Sequence, residues 1–187
     1  MLNNLFFELI QVAIDRRDAL SRVPSAKEWC ALYGLSVKQA IAGVCFCGVQ
    51  RLAKELREEM PKELMMQWFA LAEGIKQRNV LMNRKCVEVQ RLLSADGFRS
   101  CILKGQGVAE LYSDNDSDCG NLGLYRQSGD IDVWVDSDIE HVLDYVMKRV
   151  PSKTFDMKYI HYDLFEDIDV ELHWIPSVSA FQAETQG

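Results

Sequence analysis

The chain has 187 residues, 48% of them apolar, and a formal net charge of −7. That length can bury one sizeable core or a catalytic domain with a helical appendage, and the acidic balance argues against non-specific binding of long DNA. No apolar run approaches the roughly 20 residues of a membrane span, and the N-terminus, with Glu8 and no basic run before its apolar stretch, does not read as a signal peptide.

Leu2, Leu5, Phe6, Leu9, Val12 and Ala13 recur at helical spacing, which predicts an amphipathic helix within residues 2–20. Ser25-Ala26-Lys27-Glu28 has the form of a capping box after Pro24, and Gly34 is expected to stop the short helix that follows. Ser36-Val37-Lys38-Gln39 repeats the pattern and predicts a helix to about Glu59. Pro61 breaks it and opens another, running to about Ala95 with Gly97 as its C-terminal cap and Gly74 as a place to bend. Residues 1–97 therefore read as an all-helical segment. Its charged residues, such as Lys54, Glu55 and Arg57, read as a solvated face. The six cysteines (30, 45, 47, 86, 101, 119) form no C-x-x-C pair and no zinc spacing with His. They read as mostly buried free thiols of a reducing, cytoplasmic compartment.

The second half alternates. Phe98 to Leu103 predicts a strand, residues 107–112 a short helix, and residues 113–128 a long polar loop. Asp114, Asp116 and Asp118 resemble the start of a calcium loop, but Tyr125 stands where its closing glutamate belongs, so no calcium is expected. A strand over 130–135 follows, then a helix capped by Ser137 and running from about Asp138 to Arg149. Residues 158–165 and 168–175 predict a hairpin turning at Glu166-Asp167, and 177–187 read as a tail. The fold class is α+β: a small mixed sheet with flanking helices over 98–176, preceded by the helical segment.

The chemistry concentrates in Gly129-Asp130-Ile131-Asp132-Val133-Trp134-Val135. Residues two apart on a strand share a side, so Asp130 and Asp132 project together while Ile131, Val133 and Val135 face the other way. Adjacent carboxylates repel one another, and desolvation worsens the repulsion. A hard divalent cation relieves it; the alternative is a polar strand end with both acids in water. Asp169, Glu171 and His173 likewise share one face of the later strand, and His161 lies on its hairpin partner. His173 is placed to orient an acid or contact substrate, although a lone strand histidine is more often structural. Trp134 and Trp174 read as core on the side away from the acids. Gly105 and Gly107 lie where backbone N–H groups ahead of a helix can approach phosphates, although a plain turn would use the same residues. Lys104 adjoins that turn, able to meet phosphate or simply solvent.

Strand, glycine turn, helix, Asp-x-Asp strand and a further acidic strand, in that order, resemble the DNA polymerase beta-like nucleotidyltransferase superfamily. More closely, Leu103-Lys104-Gly105, Arg126 shortly before Gly129-Asp130-Ile131-Asp132, and Val170-Glu171-Leu172-His173-Trp174 resemble a poorly characterised bacterial nucleotidyltransferase family. The likeness covers residues 100–174. It implies metal-dependent transfer of a nucleoside monophosphate from a triphosphate, ATP among the candidates, with Mg²⁺ the first metal and Mn²⁺ the second. Asp130 and Asp132 would be the metal-binding and catalytic pair. Glu171 matches the closer family's third acid, while Asp169 supplies the aspartate more common in the wider superfamily. Lys104, Gly105, Gln106, Gly107, Arg126 and Ser128 would bind nucleotide, although Gly105-Gln106 replaces the usual Gly-Gly or Gly-Ser pair. The acceptor stays open among a small molecule, an RNA end and a protein side chain. Superfamily members commonly carry helices after the sheet; here either the N-terminal helices take that role or the chain is part of a longer protein. The alternative is a catalytically degenerate nucleotide-binding or regulatory protein of the same fold. A two-metal phosphohydrolase would want further His pairs that this sequence lacks.

Overall fold

The computed structural model describes residues 2–112, 120–150 and 155–176. The chain divides into two compact units, Met1–Leu81 with Ala109–Ser128 and Met82–Val108 with Gly129–Gly187. The aspartates of the calcium-like stretch and the residues of the expected tail lie outside the described residues.

The first unit is helical. Helix α1 (Leu2–Ala13) buries Leu5, Phe6, Leu9, Val12 and Ala13, the stripe expected from spacing. Helix α2 (Ala26–Lys38) opens on the full capping box, with the Ser25 hydroxyl accepting from the Glu28 N–H and the Glu28 carboxylate accepting from the Ser25 N–H. Gly34 does not stop it. A Cβ there would meet nothing within 4 Å, so the position is open, exposed helix surface and costs only the usual glycine penalty. Ser36 opens no helix either; buried in the last turn of α2, its hydroxyl donates back to the Tyr33 carbonyl at 2.7 Å. Helix α3 (Ala42–Arg51) follows, then a 3₁₀ turn at Lys54–Arg57 in place of further α-helix. Helix α4 (Lys62–Ala95) starts after Pro61 as expected and continues through Gly74, its residues divided between the two units.

The first unit's core joins Leu5, Leu9, Trp29, Leu32, Cys45, Phe46, Cys47 and Trp68, and the Trp68 indole N–H donates to the Ala42 carbonyl at 2.8 Å. A 3₁₀ turn at Leu122–Tyr125, within the stretch expected to be loop, packs Tyr125 into that core. It is fastened by Asn79, whose buried amide donates to the Leu124 and Arg126 carbonyls at 2.8 and 2.7 Å. Cys45, Cys47 and Cys86 are buried, whereas Cys30 and Cys101 are exposed, contrary to the expectation for those two.

The second unit carries a four-stranded mixed sheet of order β1-β2-β4-β3, built from Ser100–Ile102, Ile131–Val135, Tyr159–His161 (β3) and Val170–His173 (β4). The two outer strands run antiparallel to their neighbours, while β2 and β4 are parallel. Helix α5 (Lys104–Ala109) leaves the end of β1, and helix α6 (Ile139–Arg149) follows β2. The cap of α6 is Asp138, whose carboxylate accepts from the His141 N–H, one residue later than the expected Ser137. Tyr145 of α6 stacks edge-on against Phe98 and Tyr162 and donates to Asp96 at 2.8 Å. Ile131, Val133 and Val135 of β2, Val170 and Leu172 of β4, and Ile160 of β3 are buried together as the apolar face of the sheet. No helix among the described residues is long and apolar enough to cross a membrane.

Candidate active site

The polar face of the sheet follows from register. Asp132 stands opposite Glu171 across the parallel pair, and Glu171 stands opposite His161 across the antiparallel one. The next row reads Cys101, Trp134, His173, Tyr159 across all four strands. Trp134 therefore shares the side of Asp132 rather than the opposite side, and it is half-buried, not core. Two residues along a strand return to the same face, so Trp134 had to follow Asp132.

Asp132 is the centre of this face and is only 5% exposed. Its Oδ1 accepts from the Lys104 ammonium at 2.7 Å and lies 3.0 Å from His173 Nε2. The same Nε2 is 3.3 Å from Glu171 Oε2, and His161 Nε2 approaches Glu171 Oε1 at 4.0 Å. Burial raises the Glu171 carboxyl above the ordinary carboxylate range, and the Asp130 and Asp132 charges push it further, against His161 and Lys104. Burial holds His173 below the usual histidine value despite the pull of Asp132, which keeps the ring neutral near pH 7. Lys104 is raised by its bond to Asp132.

Ligand atoms of Asp132, Glu171 and His173 lie within 4.8 Å of one another, the spacing of a cation's coordination sphere. The charge agrees. The carboxylates of Asp132 and Glu171, with the Asp130 charge acting on Glu171, face two imidazoles and one ammonium, and Glu171 registers the excess of negative charge. A hard divalent cation fits such a donor set.

The remaining sequence candidates divide between the two units. Asp130, exposed just ahead of β2, lies outside the metal-capable cluster but close enough to shift both Glu171 and Lys104. Asp169 is exposed before β4; its backbone carbonyl accepts from the Ile131 N–H, and its side chain is not in the metal-capable cluster. Lys104 has φ +40°, a left-handed conformation that a non-glycine residue adopts at a cost of about 1–2 kcal/mol. Gly105 follows it with φ 16° and ψ −104°, outside helical values. Gln106 is buried with its amide on Asn83 Oδ1 at 2.5 Å. Gly107 is dictated by packing, since a Cβ there would sit 2.5 Å from the Ile102 carbonyl oxygen. Arg126 and Ser128 belong to the other unit, and the Ser128 hydroxyl is buried with no partner among the described residues. Tyr159 was missed. Its ring lies 5.1 Å from that of His173, and Glu171 is the main cause that raises its phenol. A hairpin centred on Glu166 pairs residues 159 and 173, so the signal was present in the turn position.

A model of one family, described as "Uncharacterised nucleotidyltransferase", matches residues 25–186. The chain belongs to that family. No curated protein matches this nucleotidyltransferase family member, and no solved structure does. The match takes in α2 to β4, so every residue of the acidic face falls inside it.

Proposed function

We propose that residues 98–176 form the catalytic core of a nucleotidyltransferase of the DNA polymerase beta-like superfamily. It moves a nucleoside monophosphate from a triphosphate to an acceptor hydroxyl. The observation that carries this reading is the pairing of Asp132 with Glu171 on adjacent parallel strands, with the Asp130 charge acting on Glu171, inside a chain of this family. Asp130, Asp132 and Glu171 would hold Mg²⁺, or Mn²⁺ in its place. When bound, the metal neutralises the triphosphate and lowers the barrier to attack at the α-phosphorus.

Each of the chain's own groups then has a task. The acceptor oxygen bonds to the α-phosphorus, the bond from that phosphorus to the β-phosphate bridge breaks, and pyrophosphate leaves. Glu171, opposite Asp132 across the parallel strands, takes the proton of the acceptor hydroxyl. Lys104 exchanges Asp132 for the phosphates, which its 61% exposed side chain leaves it free to do. The turn at Gly105, Gln106 and Gly107 offers backbone N–H groups to the triphosphate. The triphosphate donor and the free thiols fit a cytoplasmic protein.

Triphosphate with Mg²⁺ is expected to raise the unfolding midpoint of the chain. At a hundredfold excess over Kd, linkage contributes about 2.7 kcal/mol. Incubation with each α-labelled triphosphate, Mg²⁺ and cell extract should then transfer label to an acceptor. A midpoint that moves without transfer supports the degenerate nucleotide-binding reading, and a midpoint that does not move for any triphosphate removes both.

A further inference from the structure

We propose that His173 is a positioning residue, whose Nε2–H is shared between Asp132 and Glu171 and fixes the spacing of the two carboxylates for a divalent cation. This rests on the acidic face being the nucleotidyltransferase site. Three observations carry it.

The first is that the only hydrogen-bonding partners of the ring among the described residues are the acids. His173 is 1% exposed, its Nε2 lies 3.0 Å from Asp132 Oδ1 and 3.3 Å from Glu171 Oε2, and Nδ1 is buried with no hydrogen-bond partner among the described residues. A histidine retained for the core would have both nitrogens satisfied, because a buried unpaired polar atom carries its full desolvation penalty. Here one nitrogen is left unpaired so that the other can reach two carboxylates.

The second observation is the tautomer that this arrangement requires. An Nε2 lone pair aimed at two carboxylate oxygens would be repelled, so the proton sits on Nε2 and the unpaired Nδ1 is an acceptor. An unsatisfied acceptor is less costly in a protein interior than an unsatisfied N–H. Coordination of a metal by Nε2 would invert this: the proton would move to Nδ1, a buried donor with no acceptor, where metal-bound histidines ordinarily have one. The structure thus favours His173 beside the cation's ligands rather than among them.

The third is that the ring is buried within the sheet's row of side chains and packed against a neighbour. It lies on β4 between Trp134 of β2 and Tyr159 of β3 in register, with the Tyr159 ring 5.1 Å away. The Tyr159 ring packs on one side of it, which limits the rotation of the donor that faces the two acids.

Gln places its side-chain nitrogen near the position of His Nε2, and Asn places it near Nδ1, so the two amides separate the nitrogens. Mn²⁺ affinity of the full chain is the readout, by titration at a temperature where every variant is folded. His173→Gln should retain affinity within about threefold, while His173→Asn and His173→Phe should lose about 10–100-fold, the range for outer-sphere partners of metal ligands. On the wild-type chain, imidazole ¹⁵N spectra should show Nε2 protonated both with chelator and with Mg²⁺; this decides the matter even if a variant does not fold. Gln and Asn weakened alike, or an Nε2 that loses its proton on adding Mg²⁺, would overturn the positioning role and leave the proposed function standing. A wild-type chain that binds neither Mn²⁺ nor Mg²⁺ overturns both.

Discussion

Glu171→Gln is expected to reduce nucleotidyl transfer by at least about a hundredfold, the lower end of what a positioned acid or base contributes, while making the metal-free protein more stable at neutral pH. The two effects have one cause. Glu171 sits beside Asp132 in register and within the field of Asp130, and burial adds to the cost of its charge. For an acid whose folded pKa lies above its unfolded value, the folded state binds the extra proton between those two values. Stability in chelator should therefore fall as pH rises from about the ordinary glutamate value of 4.5 through the raised folded value. Gln removes that slope, so the variant's advantage should be full above the folded value and vanish below the unfolded one. Asp169→Asn is the control, because Asp169 is exposed and outside the cluster. Unfolding of both variants with chelator and with Mg²⁺, beside transfer of label, tests the assignment. If the loss of transfer and the gain in metal-free stability both appear in Asp169→Asn instead, the third acid is two residues away from where we place it.

The largest loss of stability is expected far from the acids in sequence, at Gly43. A Cβ at this position would lie 2.2 Å from the carbonyl oxygen of Tyr125 and 3.1 Å from its carbonyl carbon. Those are backbone atoms, so no rotamer change relieves the collision. The turn cannot simply step back, because Asn79 ties the carbonyls on either side of Tyr125 and the Tyr125 ring is buried in the helical core. Gly43→Ala should cost about 3 kcal/mol, the upper end for forced overpacking. Gly34→Ala provides the opposite sign: the site is open, mid-helix surface, and alanine should gain up to about 1 kcal/mol. Urea unfolding of the pair measures both, and a Gly43→Ala chain as stable as wild type would remove the close approach of α3 to the 122–125 turn.

Helix ends show how far the sequence could be read. Three helices end in the same backbone motif, with a residue in the left-handed region and paired 6→1 and 5→2 hydrogen bonds. After α4 the bonds run from Phe98 to Leu93 and from Gly97 to Ser94, and Gly97 is the expected glycine. After α1 the left-handed residue is Asp15 at φ 59°, and after α2 it is Ala40 at φ 57°. Neither residue announces such a turn. With no mark at Ala40, the break between α2 and α3 was assigned to Gly34 and Ser36, residues that have the right chemistry but stand too early. The strands read more clearly, because alternation of apolar and acidic residues fixes both the face and the neighbour once one side is buried. Asp132, Glu171 and His173 were legible for that reason. The bond from Lys104 to Asp132 was not, since it depends on a left-handed lysine next to a non-helical Gly105, and strain of that kind leaves no trace in composition.

The distribution of thiols gives the acidic face a built-in spectroscopic address. Burial pushes Cys45 up to about 12 and Cys86 up to about 11, so at neutral pH almost none of either is thiolate, the form that alkylating reagents attack. Cys101, by contrast, is exposed on the outer strand β1 and paired with Trp134, which is paired in turn with His173. With Cys30 and Cys119 replaced by serine, a fluorophore on Cys101 would sit one strand from an indole that can quench it and two strands from the histidine between the acids. Filling of the site by metal or nucleotide could then be followed optically, with every residue of the acidic row left as it is.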